Sequence, residues 1–116
     1  MRGDPRNPSE TEFRATVIEG AQRLGWRVWS IDDAVYRALI VAARELGIHF
    51  KPPRSGWPDL VLVRGDRLLF VELKSNNGAV RTEQKEWLNA LEETCAEVWL
   101  LRPYMWDSFE RTLRGE

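Results

Sequence analysis

The 116-residue sequence predicts an α/β fold in which helices flank a central mixed β-sheet. Three observations carry that prediction. Segments of helical apolar period alternate with short β-rich runs in the order α β α β β α β α. Two of those runs, 59–64 and 67–74, are separated by Gly65-Asp66 alone, which makes an antiparallel hairpin with glycine where a type II′ turn needs it. A further β-rich run, 97–101, follows a helical segment, so it returns beside the hairpin through a crossover helix.

Residues 1–9 hold Gly3, Pro5, Asn7 and Pro8 without apolar period and form a flexible lead-in to a single domain at 10–116. From Glu10, Phe13, Val17, Ala21 and Leu24 recur at helical spacing, with Ala15 and Ile18 widening the stripe. Ser9 or Thr11 caps this helix and Gly25 stops it. Glu12 falls in the first turn, where negative charge suits the helix dipole. Residues 26–31 alternate and are rich in β-formers, so they read as a strand. Asp32 or Asp33 caps a second helix that runs to about Leu46 and closes at Gly47. Its apolar residues Val35, Leu39, Ile40, Val41, Ala42, Ala43 and Leu46 spread over more than one face, the mark of a helix that is buried or packed on a partner.

The stretch 51–58 is a loop, since its prolines and Gly56 exclude regular structure. Asn76, Asn77 and Gly78 mark another loop after the hairpin. Thr82 caps a helix carrying Trp87, Leu88 and Leu91 on its apolar side, and Pro103 opens a terminal helix with Trp106, Phe109 and Leu113 on one stripe. Trp26, Trp29, Trp87, Trp99 and Trp106 are assigned to the core, and Cys95 is read as a small buried hydrophobe.

Hydrophobic residues at 43% and charged residues at 30% place the chain among folded domains. No apolar run approaches the ~20 residues that span a bilayer, and the first residues lack the apolar centre of a signal peptide. One cysteine allows no intrachain disulfide. A cytoplasmic location, in a bacterial cell or for a phage product in its host, fits these features. The net charge of −1, from 17 basic and 18 acidic residues, gives no global argument for nucleic acid. Any such partner must be held by local charge.

The hairpin supplies the chemistry. With Gly65 and Asp66 as the turn, Arg64 faces Arg67, and counting outward brings Asp59 opposite Glu72. Directly opposed residues have Cβ atoms about 4.5–5.5 Å apart, and like charges so placed repel. Lys74 shares the face of Glu72, while Leu69, Val71 and Leu73 point the other way. A divalent cation resolves the repulsion: Mg²⁺ takes one or two carboxylates and keeps several waters. The plain alternative is a strand-start acid beside a solvated ion pair, the commoner meaning of a bare E-x-K. The opposed Asp59 and the preceding Gly56-Trp57-Pro58 weigh against it.

Pro58-Asp59 followed by Glu72-Leu73-Lys74 looks like the signature of the PD-(D/E)XK nuclease superfamily. More narrowly, the run from Ser55 through Gly56-Trp57-Pro58-Asp59 to Leu62, then Leu69 to Lys74, then Gly78, Thr82 and Gln84, resembles the VRR-NUC family, which is related in fold to Holliday-junction resolvases. That resemblance implies a restriction-endonuclease-like core and a Mg²⁺-dependent endodeoxyribonuclease, with Mn²⁺ as substitute. It implies that Asp59 and Glu72 ligate metal, with the Leu73 carbonyl contributing, and that Lys74 is catalytic. It implies an acid on the first helix, which Glu12 matches with Glu19 as rival. It also implies that Gln84 orients water or phosphate. The helix at 33–46 is an addition to that pattern.

Arg54, Ser55, Trp57, Arg81, Thr82 and Lys85 are the candidate DNA contacts, with Arg37, Arg44 and Lys51 nearby in sequence. Phosphate contacts position a duplex without reading it. No zinc-finger spacing, recognition helix or RNA-binding aromatic motif is present, which favours structure-selective cleavage of branched or junction DNA, or weak sequence selectivity. Trp57 either stacks on a base or walls off the sheet end. His49 lacks partners at zinc spacing and reads as structural or surface. The apolar second helix and six tryptophans point to a homodimer. The rival readings are a non-catalytic DNA- or protein-binding subunit and a nuclease that prefers RNA.

Overall fold

A computed structural model of the chain describes residues 6–30, 33–48 and 56–116. Its elements are α1 (Glu10–Arg23), β1 (Arg27–Ser30), α2 (Asp33–Glu45), β2 (Leu60–Arg64), β3 (Arg67–Leu73), α3 (Thr82–Glu92), β4 (Glu97–Leu101), a 3₁₀ turn (Pro103–Met105) and α4 (Trp106–Leu113). The strands form one four-stranded sheet in the order β1-β2-β3-β4. β2 is antiparallel to both β1 and β3, and β4 lies parallel to β3. This is the helix-flanked mixed sheet expected from the sequence, with α3 as the crossover.

The hairpin sets the register. Gly65 has φ +60°, and among the described residues no residue other than glycine has positive φ. A positive first and negative second turn residue belongs to type II′, whose twist suits antiparallel strands. Arg64 therefore pairs with Arg67 and Leu60 with Val71. The side-chain period of two sends Leu60, Leu62, Leu69, Val71 and Leu73 to one face, where all are buried. Phe13, Val17 and Ala21 of α1 and Phe109 and Leu113 of α4 close that face. Ser9 accepts the Glu12 N–H at 3.1 Å, so Ser9 rather than Thr11 caps α1.

The end of α4 is tied to the hairpin. Trp26 Nε1 and Arg64 donate to the Leu113 carbonyl at 3.0 and 2.9 Å. Arg67 donates to the Thr112 carbonyl at 2.9 Å and forks onto Glu97 at 2.6 and 2.9 Å. These cations satisfy carbonyls that a helix end leaves without partners. On the other sheet face, Trp57 packs edge-on to Phe70 of β3 and Trp87 of α3, with centroids 5.5 and 4.8 Å apart. Trp57 thus walls the sheet.

Several expectations are corrected. Trp29 is 53% exposed, because β1 is a sheet edge and α3 packs on the far side against β4. Cys95 is exposed in the turn between α3 and β4. Thr82 is the first residue of α3, and Arg81 is its cap. Pro103 opens a 3₁₀ turn ahead of α4 rather than α4 itself. In α2, Val35, Leu39, Val41 and Leu46 are 44–73% exposed. His49, Lys51, Arg54 and Ser55 lie outside the described residues. No described helix is long and apolar enough to cross a membrane.

Candidate active site

The register places Asp59, one residue before β2, across from the end of β3. Its Oδ2 accepts the Leu73 backbone N–H at 2.8 Å. That bond fixes the carboxylate between the strands rather than in solvent. Its Oδ1 faces Arg14 of α1, whose Nη1 is 3.9 Å away. The same guanidinium hydrogen-bonds the Ser30 hydroxyl at the end of β1.

Glu72 is 2% exposed. Burial first, then a hydrogen bond to Asp59 and the Asp59 charge, push its carboxyl up to about 9, and the charges of Lys74 and Arg81 pull it back. The two acids resolve their repulsion by keeping a proton, as close carboxylates do. One oxygen, Glu72 Oε2, is buried without any hydrogen-bond partner. Leaving a buried acceptor so costs about 1–3 kcal/mol.

Lys74 follows directly. Its backbone N–H donates to the Leu101 carbonyl at 3.0 Å, carrying the β3–β4 pairing one residue further. The next loop is pinned by Arg102, which donates to the Ser75 and Gly78 carbonyls at 2.7 and 2.8 Å. Asn76 Oδ1 accepts the Tyr104 N–H at 3.1 Å, so the chain after β4 holds the chain after β3.

The start of α3 closes the site from the other side. Gly56, with φ +100°, sits so close that an added Cβ would stand 2.7 Å from the Glu83 carbonyl carbon. Gln84 is buried, and its Oε1 accepts the Arg81 N–H at 2.9 Å. Its carboxamide oxygen is therefore engaged in shaping the helix start. Arg81, Thr82 and Lys85 are exposed on that first turn, and the charge of Arg81 reaches Glu72.

α1 contributes differently from the expectation for Glu12. At about 100° per residue, Glu12 and Glu19 point to the side of α1 away from Phe13, Val17 and Ala21. Both are exposed. Arg14, half-buried beside that stripe, is the α1 residue that meets Asp59. Among the described residues no three Asp, Glu, His or Cys side chains gather as a ready-made metal cage. The structure thus brings together Asp59, Glu72, Lys74 and Arg81, with Gln84 beneath. It leaves Glu12 and Glu19 apart and adds Arg14 and Arg102. The buried stripe of α1 carried the signal for Arg14; no local spacing marks Arg102.

The family model for the VRR-NUC domain matches residues 31–102, well over half of the chain. The chain belongs to the VRR-NUC family. Neither the curated proteins nor the solved structures yield a match. The matched segment holds α2, β2, β3, α3 and β4, and with them Asp59, Glu72, Lys74 and Gln84, so the helix expected to be an addition falls within the match. VRR-NUC is a nuclease domain, and the mixed sheet with its flanking helices is its restriction-endonuclease-like core. In this VRR-NUC chain α1, β1 and α4 lie outside the match, so the placement of Arg14 on Asp59 stands on the structure alone.

Proposed function

We propose that the chain is a divalent-metal-dependent endonuclease that hydrolyses DNA phosphodiesters, selecting branched or junction structure over sequence. The observation that carries this reading is the Asp59–Glu72 pair with its one unpartnered buried oxygen. Two opposed carboxylates that must keep a proton when alone are a fitting donor set for a hard cation. Asp59, Glu72 and the Leu73 carbonyl would hold Mg²⁺ or Mn²⁺. Such an ion, when bound, supplies positive charge to a phosphoryl oxygen and makes a water more acidic.

The chain's own residues do the rest. Glu72 releases its proton as the site loads. Lys74 presents an ammonium beside it, which orients the attacking water and offsets charge developing on the phosphate. Gln84 holds the first turn of α3 through Arg81. Arg81, Thr82 and Lys85 offer cations and helix N–H groups along the phosphate path. Trp57 supports that turn by packing on Trp87.

The test is incubation of nicked, flapped, linear and four-way-junction DNA with the protein in Mg²⁺ and in EDTA, with matched RNA in parallel. Cleavage in Mg²⁺ alone is expected, and Lys74→Ala should slow it about 10²–10⁴-fold. No cleavage of any substrate, or a rate indifferent to that change, removes the catalytic reading.

The same reading includes a homodimer. Val35, Leu39, Ala42 and Leu46 follow one another at four-three-four spacing, the seam that one helix offers another, and all are exposed. A second α2 is the surface that matches it. Light scattering should give twice the 13.5 kDa chain mass at micromolar concentration. Leu39→Glu with Leu46→Glu should return the single-chain mass without lowering the melting temperature.

A further inference from the structure

The site contains a cation of its own. The Arg14 side chain is only 21% exposed, yet 3.9 Å from Asp59 Oδ1 it is too far for a hydrogen bond. The attraction is electrostatic and readily exchanged. The anchor is elsewhere: a second guanidinium nitrogen hydrogen-bonds the Ser30 hydroxyl, so Arg14 stays at the site even if it leaves Asp59. Asp59 Oδ2 is committed to the Leu73 N–H. Oδ1 is therefore the oxygen of Asp59 left for a metal, and it is the oxygen that Arg14 faces.

A guanidinium and a divalent cation cannot both profit from one carboxylate oxygen. A guanidinium freed there stands beside the place where a phosphate is to be held, and its planar fork suits phosphate oxygens. We propose that Arg14 is a phosphate-binding residue of the active site, stored on Asp59 in the metal-free protein and transferred to the DNA phosphate when the site is loaded. This rests on the nuclease reading above. It assigns to α1 a substrate contact in place of an acidic one, from a segment outside the VRR-NUC match.

The experiment uses the full chain carrying Lys74→Ala, so that DNA stays uncut, with and without Arg14→Gln or Arg14→Lys. Mn²⁺ binding is measured by calorimetry without DNA. Binding of a fluorescent four-way junction in Mg²⁺ is measured by anisotropy over a series of salt concentrations. Arg14→Gln should leave Mn²⁺ affinity equal or tighten it up to about tenfold, because a like charge is gone. It should weaken DNA binding about tenfold and reduce the slope of log affinity against log salt by about 0.9, the share of one phosphate contact. Arg14→Lys should restore the slope while regaining only part of the affinity. Weaker Mn²⁺ binding in Arg14→Gln would show that Arg14 merely steadies Asp59 and would overturn the proposal. So would an unchanged salt slope. Failure of the parent Lys74→Ala protein to bind Mn²⁺ at all would instead bring down the nuclease reading, and Arg14's role with it.

Discussion

Glu72→Gln should raise the melting temperature of the metal-free protein at pH 8 and leave it nearly unchanged at pH 5. The sign follows from where the proton sits. Unfolded, the Glu72 carboxyl ionises near 4.5; folded, burial and Asp59 hold the proton up to about 9. Below pH 4.5 both states are protonated and folding costs nothing at this group. Between 4.5 and 9 the unfolded chain binds fewer protons than the folded one, so stability falls as pH rises, by at most about 1.4 kcal/mol per unit. By pH 7 the upper bound on the penalty is about 3 kcal/mol. A glutamine is neutral throughout and can still donate to Asp59. For a chain of this size 1 kcal/mol moves melting by roughly 3–6 °C, so a gain of about 5–15 °C is expected at pH 7–8 in EDTA. On the proposed metal-dependent reading, the same variant should also lose cleavage, because an amide replaces a carboxylate assigned to the metal. Mg²⁺ should raise wild-type melting more at pH 8 than at pH 6, because displacing the Glu72 proton costs more the further the pH lies below 9. A scan of melting against pH in EDTA and in Mg²⁺ checks all of this. A Glu72→Gln protein less stable than wild type at every pH would mean that Glu72 is ionised in the fold.

The opposition that creates this penalty was legible because it is local. A two-residue turn leaves one pairing, and a period of two leaves one face, so Asp59 against Glu72 follows from counting along the hairpin. The buried stripes of α1 and α4 were legible for the same reason, being periodic. What counting does not give is which elements meet. Trp29 has the alternation of a core residue, but whether a helix covers its face depends on where β1 lies in the sheet. Arg102 pins the loop after Lys74 from a position 24 to 27 residues away, with nothing in its neighbourhood to announce it. Arg14 is intermediate. The phase of α1, fixed by Phe13, Val17 and Ala21, already turned Glu12 toward solvent and Arg14 toward the sheet. The expected helix acids, Glu12 and Glu19, are both exposed.

Gly56→Ala should destabilise the fold and impair cleavage by more than the loss of folded protein explains. Two penalties act at one atom. At φ +100° an alanine is strained, at a cost of about 1–3 kcal/mol. Its Cβ would also lie 2.7 and 2.8 Å from the Glu83 carbonyl carbon and oxygen and 2.9 Å from the Gln84 nitrogen. These are backbone atoms in the first turn of α3, so no side chain can swing aside, and overpacking of this kind costs about 1–3 kcal/mol more. Relief requires α3 and the loop before β2 to separate. That movement pulls on Trp57, whose ring is held against Phe70 and Trp87, and on Asp59, which must stay within reach of the Leu73 N–H. It also carries Arg81 away from Glu72, removing one of the charges that favour its ionised form. The measurement is cleavage at a temperature where Gly56→Ala remains folded, beside Phe109→Leu, which weakens the core on the opposite sheet face. The Phe109 variant should keep its rate per folded molecule while the Gly56 variant loses at least about tenfold, since misplacing reacting groups by ~1 Å is enough to cost more. Equal rates would mean that the approach of the loop to α3 serves folding alone, and that Asp59 is placed by its bond to Leu73 without help.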